Sequence, residues 1–432
     1  MQILRSTIYH TPCNAFDHDE ALEYFEDGAL AIEKGKIARC GDYTEIRSAH
    51  PDAPVRDLRG GFLLPGLIDT HIHFPQVRII GGLGYTLLDW LEKLTLPEEA
   101  RLADENYALT IAREFISHLV SHGTTTALVF GSHFEQATAH LFEEADRRGL
   151  RIFSGLVLAD RMLLDCLHQS PQQAWDVSKR LIARFHNKGL QRYAVTPRFA
   201  LSSSEAMLEV CQELLKEDET LHFTSHINEN PHEITEVARL FPASGDYLGV
   251  YEKFGLVGRR SVFAHNVHGT ADELRRLAAA EASIAHCPSS NAALGSGIFP
   301  MRRHLDARVR FALGTDVGGG TGFGMLKEAL RAYLFQRVAP EAMAVSPAQL
   351  LYLATRAGAE ALEMEDQIGD FTAGKSADLI YLQPPSDSPL ASVLKSTDEP
   401  TRRLAGLITL AGAECVQEVQ VAGNVAFHVL PL

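Results

Sequence analysis

The middle of the chain alternates repeatedly between two kinds of segment, and this alternation limits the folds that are possible. Short β-branched or aromatic runs alternate with segments rich in Ala, Leu, Glu and Arg at helical spacing. Alternating strands and helices build a parallel sheet, and eight such units predict a closed (β/α)₈ barrel. Periodicity alone does not establish closure, so an open, doubly wound α/β sheet is the alternative. The eight strand-like runs are residues 62–68, 124–130, 151–158, 193–199, 222–225, 261–264, 282–285 and 309–315.

The intervening segments carry recognisable helix boundaries. Ser202 and Thr270 are each followed three residues later by glutamate, which predicts a capping box at the start of a helix. Gly149 and Gly189 predict the ends of the helices before the third and fourth strands, because glycine adopts the left-handed conformation at a helix terminus.

The two ends of the chain differ from the middle and resemble each other. Residues 1 to about 61, and those from about 372 onward, contain short strand-like pieces separated by turn residues. We therefore expect a small composite β-sandwich domain formed by residues 1–63 and 372–432, with the barrel inserted as residues 64–371. Residues 384–403 are rich in Pro, Ser and Asp, which predicts a surface loop.

Composition narrows the class of protein. Hydrophobic residues make up 46% and charged residues 22%, which is ordinary for a soluble globular protein. A net charge of −15 argues against nucleic-acid or anionic-membrane partners. No apolar run is long enough to span a bilayer and the start does not resemble a signal peptide, so we expect a cytoplasmic location. Six scattered cysteines form no Cys-x-x-Cys pair, which predicts reduced thiols and no cysteine zinc site.

The most informative segment is the end of the first barrel strand, where an apolar run finishes in His71-Ile72-His73. Residues i and i+2 of a strand point to the same side, so both imidazoles can hold one ion inside the barrel. The carboxyl ends of barrel strands are where active sites form, and imidazole suits zinc, iron or nickel. By itself such a pair of histidines is more often structural than metal-binding.

Metal-capable side chains recur at three later strand ends. His226 ends the fifth strand, His265 the sixth and Asp316 the eighth. Each has an ordinary structural explanation, which is core packing for the histidines and helix capping for Asp316. Because parallel strands end at one rim of a barrel, the recurrence predicts a single metal site there.

These motifs resemble the amidohydrolase superfamily over essentially the whole chain. Residues 65–73 are similar to its first-strand motif, and His226, His265 and residues 314–316 match its later strand ends. The termini, including residues 369–379, resemble its composite β domain. Within the superfamily the sequence most resembles the guanine deaminase family. The segments that carry this closer resemblance are residues 73–76, 88–91, 95–97, 196–200, 225–230, 285–291 and 315–320.

The resemblance implies a metal centre and a reaction. It implies one Zn²⁺ per subunit, with iron left open, held by His71, His73, His226 and Asp316. The reaction would be guanine + water → xanthine + ammonia, in which His265 hydrogen-bonds the water that the metal holds. The resemblance also suggests a homodimer.

This deamination requires one group that accepts a proton and another that donates protons. Water that attacks C2 of guanine must lose a proton, while the adjacent ring nitrogen and the departing amine must gain protons. Asp316 would take the first proton and Glu229 would act as the acid, with its pKa raised by desolvation. The alternative for Glu229 is an ordinary carboxylate in a first helical turn, since residues 230–233 look like a helix start.

The same resemblance supplies the substrate contacts. A bidentate Gln76 and a forked Arg198 could match the edge of guanine, and Phe199 could contribute its backbone or its ring. Asn266 departs from the family pattern, and we expect this to affect the pocket lining only. The full set of expected substrate contacts is His73, Gln76, Trp90, Arg198, Phe199, His226, Glu229 and Asp316.

Two other functions stay open from the sequence. A related enzyme could act on 8-oxoguanine, adenosine, cytosine or a triazine, because such subfamilies share the metal set. A non-catalytic scaffold on the same barrel is the alternative from another class. A cytidine-deaminase-type zinc site is excluded, because its His-x-Glu and Pro-Cys-x-x-Cys pairing is absent.

Overall fold

The computed structural model describes residues 1–429 and contains two sheets. Nine strands form a parallel sheet in the middle of the chain, and seven strands from the two ends form a mixed sheet. The strands are β1 (Gln2–His10), β2 (Glu23–Glu33), β3 (Lys36–Asp42), β4 (Val55–Pro65), β5 (Leu67–His73), β6 (Thr124–Phe130), β7 (Arg151–Gly155), β8 (Val157–Leu158), β9 (Arg192–Pro197), β10 (His222–Ile227), β11 (Ser261–His265), β12 (Ser283–His286), β13 (Arg310–Leu313), β14 (Leu379–Leu382), β15 (Val416–Val421) and β16 (Asn424–His428).

Most of the longer helices follow the barrel strands. They are α1 (Tyr43–Ala49), α2 (Leu87–Trp90), α3 (Leu96–Ala100), α4 (Glu105–Ser121), α5 (Glu135–Arg148), α6 (Pro171–Phe185), α7 (Glu205–Glu217), α8 (Pro231–Leu240), α9 (Tyr247–Lys253), α10 (Ala271–Ala279), α11 (Pro288–Ala293), α12 (Met301–Asp306), α13 (Met325–Val338), α14 (Pro347–Ala354), α15 (Arg356–Ala361), α16 (Pro389–Lys395) and α17 (Pro400–Leu410). Short 3₁₀ turns lie at Phe74–Ile79, Arg101–Ala103, Asp165–Leu167, Ala200–Ser202 and Ala413–Cys415, and a π turn at Leu91–Thr95.

The parallel sheet closes into the predicted barrel. Its strands follow the order β5, β6, β7, β9, β10, β11, β12 and β13, with the short β8 beside β9. The chain after β13 then returns to β5: the Asp316 amide donates to the His71 carbonyl at 2.8 Å, and the His73 amide donates to the Val317 carbonyl at 2.9 Å. These two bonds complete the ring, so closure is confirmed and the open-sheet alternative is wrong.

The predicted first run, residues 62–68, is divided between the two sheets. β4 belongs to the terminal sheet and β5 to the barrel, and Gly66 separates them. A Cβ atom at Gly66 would lie only 2.2 Å from Oγ1 of Thr125, so the close approach of the two chains requires glycine here. The strand that enters the active-site rim is therefore attached directly to the terminal sheet.

The second sheet confirms that both ends of the chain build one small domain. Its strand order is β16, β15, β14, β4, β1, β2 and β3, with β1 and β4 parallel and the other neighbours antiparallel. The boundaries at residues 63/64 and 371/372 remain predictions, and residues 430–432 of the second segment lie outside the described residues. Within residues 1–429, no helix has the length and apolar character needed to cross a membrane.

Two of the helix boundary predictions are confirmed. Thr270 and Glu273 form a reciprocal capping box at the start of α10. Gly149 ends α5 in the left-handed conformation, with φ of 75°. In both cases the local signal lies within one helical turn, which explains why it is visible in the sequence.

Three local predictions are wrong. Ser204, not Ser202, caps α7, because Ser202 belongs to the 3₁₀ turn that follows β9. Gly189 lies beyond His186, which is the cap residue of α6. Residues 384–403 are not a loop throughout: α16 and the first turn of α17 lie there, each with proline at its first position. Proline is favourable at that position because the first helical N–H needs no intrahelical partner.

Candidate active site

The first two predicted ligands lie on β5, which is buried along its whole length. His71 and His73 project from the same side of the strand, and their Nε2 atoms are 3.2 Å apart. Neither atom has a carbonyl or hydroxyl partner there, although His71 and His73 are almost fully buried. Two imidazole nitrogens facing each other in this way favour a shared cation between them.

The other two predicted ligands come from distant strands. Nε2 of His226, on β10, lies 3.2 Å from Nε2 of His73. Oδ1 of Asp316, just after β13, lies 3.3 Å from Nε2 of His71 and 3.2 Å from Nε2 of His73. The four ligand atoms all lie within 4.8 Å of one another. The structure thus brings together the complete predicted metal set.

These separations fit a metal ion. Zinc bonds imidazole nitrogen and carboxylate oxygen at roughly 2.0–2.1 Å, so the edges of a tetrahedral site measure about 3.3–3.4 Å. The measured separations of 3.2–3.3 Å agree with such edges. Burial lowers the pKa of His71 to about 4 and that of His226 well below its ordinary value, which keeps both rings neutral, as ligands must be.

A backbone contact orients one ligand. Nδ1 of His226 donates to the carbonyl oxygen of Arg198 at 2.5 Å, which leaves the lone pair of Nε2 directed at the other ligands. Arg198 directly follows β9, so the strand next to β10 in the barrel leads into both this backbone contact and the Arg198 side chain.

The predicted acid lies beside the metal set. Glu229 is 2% exposed between β10 and α8, and its Oε2 lies 3.4 Å from Nε2 of His265. Ser296 donates a hydrogen bond to its Oε1 at 2.9 Å. Burial and the neighbouring Asp316 raise the pKa of Glu229 to about 8, so it carries a proton at neutral pH.

His265 is placed between the two carboxylates. Its Nδ1 donates to Oδ1 of Asn291 at 2.9 Å, which directs Nε2 toward Glu229 and Asp316. Nε2 lies 3.9 Å from Oδ2 of Asp316, so His265 lies beside the four-ligand group rather than within it. The position matches that of a group that could hydrogen-bond an attacking water.

One small cavity opens onto this centre. All eight predicted substrate contacts line it, together with His265 and three leucines. The lining residues are His73, Gln76, Leu87, Trp90, Leu91, Arg198, Phe199, His226, Glu229, His265, Leu294 and Asp316.

Comparison with known proteins agrees with this geometry. The model of the amidohydrolase family matches residues 62–426. The chain belongs to the amidohydrolase family. A second model, of the imidazolonepropionase-like composite domain of bacteria, matches residues 28–53, within the terminal sheet.

This amidohydrolase is similar to several guanine deaminases. It is 56% identical to a probable guanine deaminase of Deinococcus radiodurans, over 99% of each chain. The structure of Escherichia coli guanine deaminase superposes with a TM-score of 0.95 at 36% identity, covering 99% of this chain and 100% of that one. A guanine deaminase of C. acetobutylicum, solved with guanine in its active site, gives a TM-score of 0.91 at 26% identity, over 99% and 100%.

One residue of the amidohydrolase site was missed in the sequence. Glu99, on α3, accepts hydrogen bonds from Gln76 and Arg198 behind the cavity wall. The only signal was its position two residues after the 95–97 segment, in the pair Glu98-Glu99. Nothing local shows which member of that pair is turned toward the site.

Three other histidines serve the surrounding structure. His222 contacts the Leu362 carbonyl and His268 the Ser296 carbonyl. His304 is hydrogen-bonded to Asn266, whose amide also accepts a bond from Asn228. Asn266 therefore belongs to a buried polar network behind the site, and the expectation that it lines the pocket is wrong.

Proposed function

We propose that this amidohydrolase is a guanine deaminase that hydrolyses guanine to xanthine and ammonia at a single Zn²⁺ site. The observation that carries the proposal is the convergence of three kinds of group on one cavity: four metal ligands, a protonated carboxyl group and a wall of hydrogen-bond donors. The printed description of the 56% identical relative supports the same activity.

His71, His73, His226 and Asp316 would hold the metal, through three neutral imidazoles and one carboxylate. Such a donor set suits zinc and also iron, and we propose zinc. When bound, the ion lowers the pKa of water so that a hydroxide nucleophile is available near neutral pH.

Glu229 would act as the general acid. Deamination at C2 requires a proton on the adjacent ring nitrogen as oxygen adds, and another on the amine as it leaves. With a pKa of about 8, Glu229 enters the reaction protonated. It gives this proton to the ring nitrogen, regains one from the added oxygen and passes it to the departing amine as ammonia. The proton accepted by Asp316 then returns to Glu229, so that both groups regain their starting states.

Asp316 and His265 would hold the nucleophile in position. Burial alone would raise the pKa of Asp316, but its contacts with His71 and His73 outweigh burial and hold the pKa well below its ordinary value. Asp316 is therefore ionised and can accept the first proton of the attacking water. His265, 3.9 Å from Asp316 and 3.4 Å from Glu229, faces the point where that water must stand.

The rest of the cavity suits a flat, neutral heterocycle. Trp90, Phe199 and Leu294 supply apolar surface for the ring faces, while Gln76 and Arg198 supply polar atoms at one edge. When C2 faces Glu229, the opposite edge of guanine presents O6 and N7, which are both acceptors. Arginine donors match that pair well.

The test is a panel of purine and pyrimidine bases followed by ultraviolet absorbance, on protein whose metal content has been measured. We expect guanine to be consumed with equimolar release of ammonia and xanthine, and adenine and cytosine to be left. Consumption of another base with guanine untouched would contradict the substrate assignment, whereas a metal-free protein that stays inactive after zinc addition would support a scaffold.

We include in the proposal the homodimer that the family resemblance implies and the cytoplasmic location that the sequence predicts. Light scattering coupled to size-exclusion chromatography tests the first, since the monomer has a mass of 47.5 kDa. Subcellular fractionation tests the second.

A further inference from the structure

Glu99 is a buried carboxylate that no step of the proposed reaction uses. It is 3% exposed, on α3 outside the cavity lining. Its Oε1 accepts from Nε2 of Gln76 at 2.9 Å and from Nη1 of Arg198 at 2.9 Å. Its Oε2 accepts from the same Nη1 at 2.6 Å and lies 3.3 Å from Nε2 of His133. One carboxylate thus contacts both polar side chains of the substrate edge.

The charge state of Glu99 suits this arrangement. Burial would raise its pKa, but the charge of Arg198 and the contact with His133 hold the pKa below its ordinary value. An ionised carboxylate beside a guanidinium makes a neutral pair. The cavity can then accept an uncharged base, where an unpaired Arg198 would favour an anion.

The two ends of the Gln76 amide are fixed independently. Its Nε2 donates to Glu99, which as a carboxylate can only accept. Its Oε1 accepts from the backbone amide of Gly318 at 3.1 Å, which can only donate. The amide therefore has one orientation, and its remaining free hydrogen is on Nε2.

Arg198 is oriented by the same contact. Both of its hydrogen bonds to Glu99 come from Nη1. Its Nε and Nη2 donors have no hydrogen-bond partner within residues 1–429, and the side chain lines the cavity. The polar edge of the cavity therefore presents free donors from two side chains, and arginine cannot accept.

We propose that Glu99 is a positioning residue for substrate specificity. By orienting Gln76 and Arg198, it makes this edge of the cavity selective for a substrate edge that carries two adjacent hydrogen-bond acceptors. The inference rests on the proposed function and deepens it. O6 and N7 of guanine are both acceptors, whereas a 6-amino purine presents a donor beside N7. A donor opposite a donor leaves both buried groups unpaired, which is how a polar site rejects an analogue.

The experiment compares guanine with 2,6-diaminopurine, which keeps the reacting amine at C2 and replaces O6 by an amine. Ammonia release gives the rate, and chromatography of the product shows whether C2 has reacted. Wild type is compared with Glu99→Gln, which keeps the size of the side chain but replaces one acceptor oxygen by a donor.

Glu98→Gln is the matched control. Glu98 is the neighbouring, almost buried carboxylate, and its contacts are with Arg101 and Tyr107, away from the cavity. The same chemical change one residue away therefore tests for general damage to α3. Metal content and thermal unfolding of all three proteins are measured in parallel.

We expect the kcat/KM of wild type to be about 10⁴ times higher for guanine than for 2,6-diaminopurine, which is the scale of discrimination at sites built around hydrogen bonds. In Glu99→Gln, kcat/KM for guanine should fall roughly 100-fold, mainly through a higher KM. The preference for guanine over 2,6-diaminopurine should decrease by at least about tenfold, because the edge no longer presents hydrogen-bond donors only. Glu98→Gln should keep the wild-type preference. A purely structural Glu99 would lower both rates equally.

The outcomes separate the two proposals. Wild type without activity on guanine would overturn the proposed function. Active wild type with an unchanged preference in folded Glu99→Gln would overturn the role of Glu99. If that variant does not fold, wild type still decides: comparable C2 deamination of guanine and 2,6-diaminopurine would mean that the edge is not donor-only.

Discussion

Oε2 of Glu229 lies 3.4 Å from Nε2 of His265, and both side chains are almost completely buried beside the four proposed metal ligands. The two residues come from neighbouring strands, β10 and β11, whose carboxyl ends share the rim of the barrel. The pair places a proton donor and a hydrogen-bonding imidazole on the same side of the cavity. This arrangement is the basis of the first three predictions.

Glu229→Gln should lose the acid while keeping nearly the same shape. We expect kcat to fall by about 10²–10⁴-fold, the usual contribution of general acid–base catalysis. Metal content should stay at the wild-type level, because Glu229 is not in the four-ligand group. Steady-state kinetics and elemental analysis check both points, with Glu236→Gln, a partly exposed residue of α8, as the control. Loss of metal in Glu229→Gln would contradict the assigned role.

The pH profile should report the same carboxyl group. Its pKa is raised to about 8, and in the proposed mechanism the protonated form is the active one. The kcat/KM for guanine should therefore be constant below that pH and fall about tenfold per unit above it. An activity that rises through pH 8 would show that the ionised form is needed instead.

Ser296→Ala should shift that profile. The hydroxyl donates to Oε1 of Glu229 and stabilises the charged form, so its removal raises the pKa further. We expect the alkaline limb to move to higher pH with little change in the plateau. Kinetics between pH 6 and 10 measure the shift, and a limb that moves to lower pH would be inconsistent with the contact.

Removal of the metal should abolish activity and lower stability. A ligand that binds only the folded state stabilises it by about 2.7 kcal/mol at a concentration of 100 times Kd. Chelated protein should therefore unfold at a lower temperature and recover on addition of zinc. His226→Ala should show the low transition with or without zinc, whereas Glu236→Gln should respond as wild type does; an unchanged transition after chelation would argue against the site.

Arg198→Ala should remove guanine turnover while metal stays bound. The side chain lines the cavity and is not a ligand, although its carbonyl orients His226 and remains in the variant. Glu99 would lose its cationic partner, so the free energy of unfolding should fall by about 3–5 kcal/mol, the scale for breaking a buried pair. Urea unfolding, elemental analysis and kinetics test the three effects; wild-type turnover would refute the assigned pocket.

Local patterns account for the parts of the site that were predicted. The His71-x-His73 spacing places two imidazoles on one side of a strand, wherever that strand lies. His226, His265 and Asp316 could be grouped with them because the carboxyl ends of parallel strands meet at one rim. Their assignment to roles came from the family resemblance.

Local sequence patterns predict the strand–helix alternation of the barrel, the strand ends that bear the proposed metal ligands and one domain built from both termini. They do not show that Glu99, rather than Glu98, contacts Arg198, or that Ser296 and Asn291 contact Glu229 and His265; these contacts appear only in the folded structure. The difference lies in how far apart the interacting residues are along the chain. Strand and helix patterns are set by near neighbours, whereas these contacts join residues that are 26 to 99 positions apart in the chain, and only the closed barrel brings them within hydrogen-bond distance.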